Sequence, residues 1–239
     1  MGELVRISRF LRPVAIALAV ATLVPSPSRV DARPAAPDTA LLAGRATVID
    51  GDTLDIAGER VRLEGIDAPE AGQTCGGGWF GTWKCGSQAT EQLRWLVGGR
   101  RVECEAASRD KYGRVLGWCR ADGRDVNAEM VRLGFAWAFV KYSTRYQAIE
   151  VEARKAKVGI WKGEAEAPWV YREQRWDVAE TVAPDGCAIK GNVTENGHIY
   201  HMPWSPWYAK VKVEPEKGEH WFCSEAEASK AGFRPANGH

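Results

Sequence analysis

Between residues 46 and 63 the chain alternates apolar and polar side chains in three short bursts: Ala46-Thr47-Val48-Ile49, Leu54-Asp55-Ile56 and Val61-Arg62-Leu63. Each burst has the period-two pattern of a half-buried strand, and Asp-Gly and Gly-Glu turn signals separate them. Two further strand-like runs, around Arg101–Glu105 and Val115–Arg120, are joined by a turn over Ser108–Arg114. The intervening pattern has helical period. Ser87 opens a helix with Ala89, Leu93, Leu96 and Val97 on one face, stopped by Gly98-Gly99. Asp125 caps a second helix that ends at Gly134. Thr144 and Gln147 make a capping box for a third, with Ile149, Ala153 and Ala156 inward and Gly159 as its stop.

Five strands and three helices in a strand-first order predict an α+β, mainly β fold: a small closed five-stranded barrel of OB type with helices packed on it. Pro168 to Trp176 closes this unit, which is expected to span residues 44–176 after a Pro/Ala-rich linker at 33–43. Beyond Asp177 the character shifts: residues 177–239 hold 6 basic and 9 acidic side chains against 21 and 19 in 44–176. This tail reads as a second small α+β module. Ile199-Tyr200-His201 is strand-like, and one helix starts at Ser224 with Glu227 as a capping box and ends before Gly232.

The N-terminus speaks to location. Arg6, Arg9 and Arg12 precede an apolar run from Val14 to Val24, then Pro25-Ser26-Pro27-Ser28 and Val30-Asp31-Ala32. A positive segment, a short apolar segment and small residues make residues 1–32 an expected signal peptide. The run is too short to span a bilayer, where about 20 apolar residues are needed. Export to the periplasm or medium is expected, with no stable membrane association after signal removal and a monomeric state. Without the first 32 residues the formal charge is −1. Global charge therefore gives no strong nonspecific hold on nucleic acid, and any anion site has to be local.

All six cysteines lie beyond the signal, and an even number in an exported chain suggests disulfides. Sequence neighbourhood favours Cys75–Cys85, Cys104–Cys119 and Cys187–Cys223, with buried free thiols as the alternative for the middle pair. Zinc at Cys187, His198, His201 and Cys223 is a competing reading, although the spacing fits no standard finger.

Three motifs rise above fold. Asp50-Gly51-Asp52-Thr53 alone is a hairpin turn signal. Arg62-Leu63-Glu64-Gly65-Ile66-Asp67-Ala68-Pro69-Glu70 gathers an arginine and several carboxylates before a proline that turns the chain out of the sheet. Asp110-Lys111-Tyr112-Gly113-Arg114 sits at a turn between strands. Each could be solvated surface. Together they supply oxygen ligands for a hard cation, a further carboxylate and two guanidinium groups, which is the inventory for phosphodiester hydrolysis at a metal site. Val61 and Leu63 share one strand face, so Arg62 projects to the other, free to bind an anion. Neutralisation by Glu64 or Asp67 is the alternative.

From about Ala46 to Trp161 the chain resembles the staphylococcal nuclease (thermonuclease) family, calcium-dependent nucleases built on an OB barrel. The matching strings are Val48-Ile49-Asp50-Gly51-Asp52-Thr53, Arg62 to Glu70, Asp110 to Arg114, Val131-Arg132-Leu133-Gly134-Phe135-Ala136 and Gly159-Ile160-Trp161. The resemblance implies Ca2+ as cofactor, held by Asp52, Asp67 and the main-chain carbonyl of Ala68, where the family often has Thr. It places Asp50 behind those ligands. Glu70 matches the general base, and Arg62 and Arg114 match the arginines that clamp the phosphate. Lys111, Tyr112 and Tyr142 match substrate-binding positions, although Val140 stands where a second aromatic is usual. The activity implied is hydrolysis of DNA and RNA with little sequence preference, leaving 3′-phosphate ends.

Two rivals remain at this point: a non-catalytic barrel that binds nucleic acid or an envelope polymer, and the same chemistry on another exported phosphodiester. Residues 71–86, with Trp79, Phe80 and Trp83 between Cys75 and Cys85, are either one wall of a substrate cleft or a surface loop packed on the barrel. Trp204, Trp207, Tyr208 and Trp221 are either a binding surface or the core of the tail.

Overall fold

The computed structural model describes residues 41–77 and 81–236. The expected signal peptide, residues 33–40 of the linker, and Trp79 and Phe80 lie outside them. Five strands close a barrel: β1 (Leu41–Val48), β2 (Thr53–Ile56), β3 (Glu59–Leu63), and two longer strands from the second half, Arg101–Arg109 and Val115–Ala121. The β2–β3 reversal puts Ala57 and Gly58 at φ +55° and +86°. Two successive residues at positive φ suit the right-handed twist of a tight hairpin, and Asp55 Oδ1 accepts the Gly58 N–H at 3.0 Å. β1 begins at Leu41, ahead of the alternation at Gly44, because Leu41–Arg45 pairs with the strand Arg101–Arg109.

Between β3 and the first helix lie three two-residue strands: β4 (Ile66–Asp67), β5 (Cys75–Gly76) and β6 (Thr82–Trp83). Helix α1 follows (Cys85–Val97), then the long strands β7 (Arg101–Arg109) and β8 (Val115–Ala121), and short β9 (Arg124–Asp125). β3 pairs in parallel with β8, Arg62 opposite Leu116, and that contact closes the barrel. Its core is continuous: Leu54, Ile56, Val61, Leu63, Leu93, Val102 and Met130 are fully buried. Cys104 and Cys119 face each other across β7–β8 and are bonded, as are Cys75–Cys85 and Cys187–Cys223.

Helix boundaries show where local signals were overruled. α1 starts at Cys85, two residues before Ser87, whose hydroxyl donates to the Ala71 carbonyl instead of capping. α2 (Val126–Arg132) is capped as expected, with Asp125 Oδ1 accepting the Ala128 N–H at 2.9 Å. After β10 (Trp137–Ala138), α3 runs Gln147–Lys155. Its N-cap is Tyr146, which makes no side-chain cap, so the Thr144/Gln147 box does not form. Tyr146 is instead buried, its hydroxyl 3.3 Å from both Asp125 carboxylate oxygens. Ala153 is buried and Ile149 half-buried, but Ala156 is exposed. α4 spans Pro168–Val182, so the segment read only as closing the barrel is the first part of a fifteen-residue helix.

The tail folds as a four-stranded sheet in the order β13-β11-β12-β14, from β11 (Ile189–Thr194), β12 (Gly197–His201), β13 (His220–Phe222) and β14 (Arg234–Pro235). Helix α5 (Glu225–Lys230) lies between the last two. Half of its capping box forms: Ser224 Oγ accepts the Glu227 N–H, while Glu227 reaches one residue past the cap and accepts the Cys223 N–H at 2.9 Å. The core here is Ile189, Tyr200, Met202, Phe222, Ala228 and Phe233, with Trp204 half-buried against it. The Cys187–Cys223 bond removes both thiolates from the zinc reading, and His201 Nε2 lies 3.0 Å from Asn192 Oδ1.

Candidate active site

The β2–β3 hairpin sets the first two side chains. Its register pairs Thr53 with Arg62, which brings Asp52, one residue ahead of β2, beside that arginine. Val61 and Leu63 point into the barrel and Arg62 away from it. Outside, Arg62 Nη1 donates to Asp52 Oδ1 at 2.5 Å and Nη2 to Asp67 Oδ1 at 2.8 Å. Asp67 is held in place because its strand, β4, pairs with Trp137 of β10. Asp52 Oδ2 accepts the Ala68 N–H at 2.9 Å, fixing the backbone that follows Asp67. Asp50 accepts the Asp52 N–H at 3.0 Å. Burial, and then the Asp52 carboxylate, push the Asp50 carboxyl well above the usual range.

Glu70 is placed by a tight set of backbone contacts. Its N–H donates to Gln73 Oε1 at 3.1 Å, its carbonyl accepts the Gln73 N–H at 2.7 Å, and Gln73 Nε2 donates to the Glu166 carbonyl at 2.7 Å. Gly86, in the first turn of α1, packs against the Glu70 carbonyl so closely that any Cβ there would collide with it. Burial pushes Glu70 up to about 8, against the lowering pull of Arg172.

Arg172, in α4, is the site residue that sequence reasoning missed. Its Nη2 donates to Asp67 Oδ2 at 2.7 Å, and its Nη1 to Asp67 Oδ1 at 3.1 Å and Glu70 Oε1 at 2.6 Å. Burial opposes its charge, but the two carboxylates more than reverse this. Asp52, Arg62, Asp67, Ala68 and Glu70 thus form one cluster, joined by a guanidinium from more than a hundred residues along the chain.

The β7–β8 turn supplies the other expected residues. Asp110 Oδ1 accepts the N–H groups of Tyr112 and Arg114 at 2.9 and 3.0 Å, and its Oδ2 accepts Arg114 Nε at 2.7 Å. Lys111 Nζ lies 4.7 Å and the Arg114 guanidinium 5.4 Å from the Tyr112 ring centroid. Arg114, Lys111, Tyr112 and Tyr142 line the same cleft as Asp52, Arg62 and Glu70. Among the described residues no ion pair joins Arg114 to that cluster; its partner is Asp110. Tyr142 is exposed, its ring 5.0 Å edge-on to Phe139. Phe139 also lines the cleft and stacks on Trp169 of α4 at 5.4 Å, so an aromatic stands one residue before Val140.

The described part of the 71–86 loop does not line this cleft. Cys75, Cys85, Trp137 and Ile160 form a side cluster with Trp83 packed on it, and Trp83 meets Phe135 edge-on at 6.3 Å.

The donor set suits a hard cation. Asp50, Asp52, Asp67 and Glu70 offer only oxygen, and these four carboxyls outnumber Arg62 and Arg172. Among the described residues no three His, Cys, Asp or Glu side chains converge as a ready ligand cage. An ion here would take Asp52 and Asp67, the Ala68 carbonyl, water and a substrate oxygen.

Comparisons with known proteins bear on the family of the barrel. The family model described as Staphylococcal nuclease homologue matches residues 60–163, and one described as ArfC matches 177–235. A succinoglycan biosynthesis protein, ExoI, of Rhizobium meliloti is 40% identical over 131 residues, 52% of this chain and 67% of that one. An uncharacterized endonuclease of Escherichia coli is 37% identical over 136 residues, covering 54% and 82%. A micrococcal nuclease of Shigella flexneri is 32% identical over 176 residues, covering 66% and 90%. With the closed five-stranded barrel beneath these matches, the chain belongs to the staphylococcal nuclease homologue family.

Proposed function

We propose that the protein is an exported, calcium-dependent nuclease that hydrolyses phosphodiester bonds of DNA and RNA with low sequence specificity and leaves 3′-phosphate ends. One observation carries this reading: Asp52, Arg62, Asp67 and Glu70 share a single hydrogen-bonded cluster, and Asp52, Arg62 and Glu70 of it line the same cleft as Lys111, Tyr112 and Arg114. Relatives named endonuclease and micrococcal nuclease support it. Export rests on the N-terminal charge and apolar pattern and on the three disulfides. No helix among the described residues is long and apolar enough to cross a membrane.

Asp52, Asp67 and the Ala68 carbonyl would hold calcium, which supplies positive charge for a phosphate oxygen. The remaining chemistry belongs to the chain. Glu70, held by Arg172, removes a proton from the attacking water in the general-base role. Arg62 and Arg114 donate to the non-bridging phosphate oxygens, where charge grows as the water oxygen bonds to phosphorus and the 5′ oxygen departs. Arg172 holds Glu70 and Asp67 in register. Tyr112 and Tyr142 offer ring faces to bases without reading their edges, which accounts for low sequence preference.

The test is hydrolysis of single-stranded DNA and of RNA by disulfide-intact protein, in calcium and in excess chelator, with Glu70→Gln alongside. Cleavage that needs calcium and collapses in Glu70→Gln is the expected result. Intact substrate in both conditions refutes the reading. The relative named for succinoglycan biosynthesis favours one second reading, action on or binding to an exported envelope polymer.

A further inference from the structure

The tail does not hang off the barrel; it faces the active site. The cleft above Asp52 and Glu70 has a volume of about 830 Å3, and its far side is formed by Tyr200, Met202, Trp204, Glu225, Ser229 and Arg234. Contacts on both flanks hold this second wall. On one flank, Gly72 of the loop after Glu70 lies near enough to Pro206 and the Trp204 carbonyl that a Cβ there would touch both, and the Trp204 ring lies 6.3 Å from that of Trp176 in α4. On the other, Glu225 accepts the Tyr200 hydroxyl at 2.9 Å and faces the Tyr112 hydroxyl and Lys111 from across the cleft.

We infer that the 177–235 module is the second wall of the substrate cleft and restricts the enzyme to unpaired strands, with Trp204 as a base-stacking residue of that wall. This rests on the nuclease reading of the same site. A phosphate that enters between the barrel face and the module meets Arg62 and Glu70 in the cleft that both line. An unpaired strand can do so, laying its phosphates toward Arg62, Lys111 and Arg114 and its bases against rings. Phe139 and Tyr142 stand on the barrel side and Trp204 on the module side. Stacking on such faces tolerates any base. A duplex brings a paired second strand with every phosphate, and the Glu225–Tyr112 approach lies across its path. It would have to unpair and unstack before its backbone entered. The wall thus selects strandedness and leaves sequence unselected.

The test uses the full chain with calcium and compares kcat/KM on a single-stranded 12-mer, the same sequence in a blunt duplex, and a p-nitrophenyl ester of a thymidine phosphate. Binding of the fluorescein-labelled single strand in chelator is followed by anisotropy. The single strand is expected to be cut at least about tenfold better than the duplex, the scale of losing one base–aromatic stack. Trp204→Ala should lower single-strand kcat/KM by about tenfold and leave the small ester unchanged, with Trp204→Phe restoring most of the loss. Glu225→Gln, which keeps an acceptor for the Tyr200 hydroxyl while removing the charge that faces Tyr112, should raise duplex cleavage relative to single-strand cleavage. Equal rates on both strand forms, or Trp204→Ala slowing the ester as much as the strand, would overturn the inference while leaving the nuclease reading intact. No cleavage of any substrate, with no single-strand binding in chelator, would instead overturn the nuclease reading itself.

Discussion

Replacing Arg172 with methionine keeps a long apolar stem in α4 and removes the charge that Asp67 and Glu70 share. The side chain of Asp67 is fully buried and that of Glu70 is 9% exposed, whereas Arg172 is 23% exposed. Deleting one partner of a buried ion pair strands the other charge, at a typical cost of about 3–5 kcal/mol. Two features of this site lower that figure. Arg62 still donates to Asp67 Oδ1 at 2.8 Å, and Glu70, already pushed up to about 8, can take a proton instead of remaining a stranded anion. The expected loss near neutral pH is therefore about 2–4 kcal/mol. For a folded unit of this size each kcal/mol moves Tm by roughly 2–4 °C, so the variant should melt about 5–15 °C lower. Arg172→Lys should fall between, because it keeps the charge without the two-pronged grip on Asp67. Calcium should raise the melting temperature of Arg172→Met more than that of wild type, since the ion no longer competes with Arg172 for the Asp67 oxygens. Thermal melts by circular dichroism with and without calcium read both effects. A calcium-free Tm within about 2 °C of wild type would show that the carboxylates do not depend on Arg172, and the reasoning would fail.

Other outcomes follow from the same cluster. The folded pKa of Glu70, about 8, lies above its ordinary 4.5, and Asp50 is shifted in the same direction. The stability these groups contribute is full below their unfolded values and is lost as pH rises through the folded ones. The calcium-free protein should therefore melt at progressively lower temperature from about pH 5 to about pH 9, with calcium reversing the loss; a flat or rising profile would contradict it. Glu70→Gln should cut kcat by about 10²–10⁴-fold, the usual weight of a general base, while raising Tm at pH 8–9 because a neutral amide carries no buried charge; turnover measurements beside thermal melts check both. Gly86→Ala should reduce activity and stability together, because the new Cβ displaces the Glu70 carbonyl. Wild-type turnover in that variant would show that the close approach of α1 does not position Glu70.

The parts of the site that sequence reveals are those built from one continuous strand–turn stretch. Asp52, Arg62, Asp67 and Glu70 lie within nineteen positions, and the Thr53–Arg62 register alone brings the first two together. Arg114 was legible for a similar reason: Asp110 organises a five-residue turn through its own backbone and side-chain contacts. Local capping signals were weaker guides wherever a buried side chain decided the matter. Tyr146, buried against Asp125, sets where α3 begins, and the Thr144/Gln147 box has no say.

Arg172 and the module wall were hidden for a different reason. Of the fifteen residues of α4 only Pro168 and Ala179 are buried, so the helix has no apolar stripe to announce it. It is held instead by separate contacts: Trp169 stacked on Phe139, Trp176 near Trp204, and Arg172 on the two carboxylates. None of these has a period, and each partner lies tens of residues away. The aromatic residues of the tail posed the same problem. Composition suggested either a core or a binding surface, and Trp204 both packs against the module core and lines the cleft. A residue that closes a core and a cleft together is constrained by two surfaces. Trp204→Ala is therefore informative only beside a substrate too small to reach it, because that substrate separates a lost stack from a loosened module.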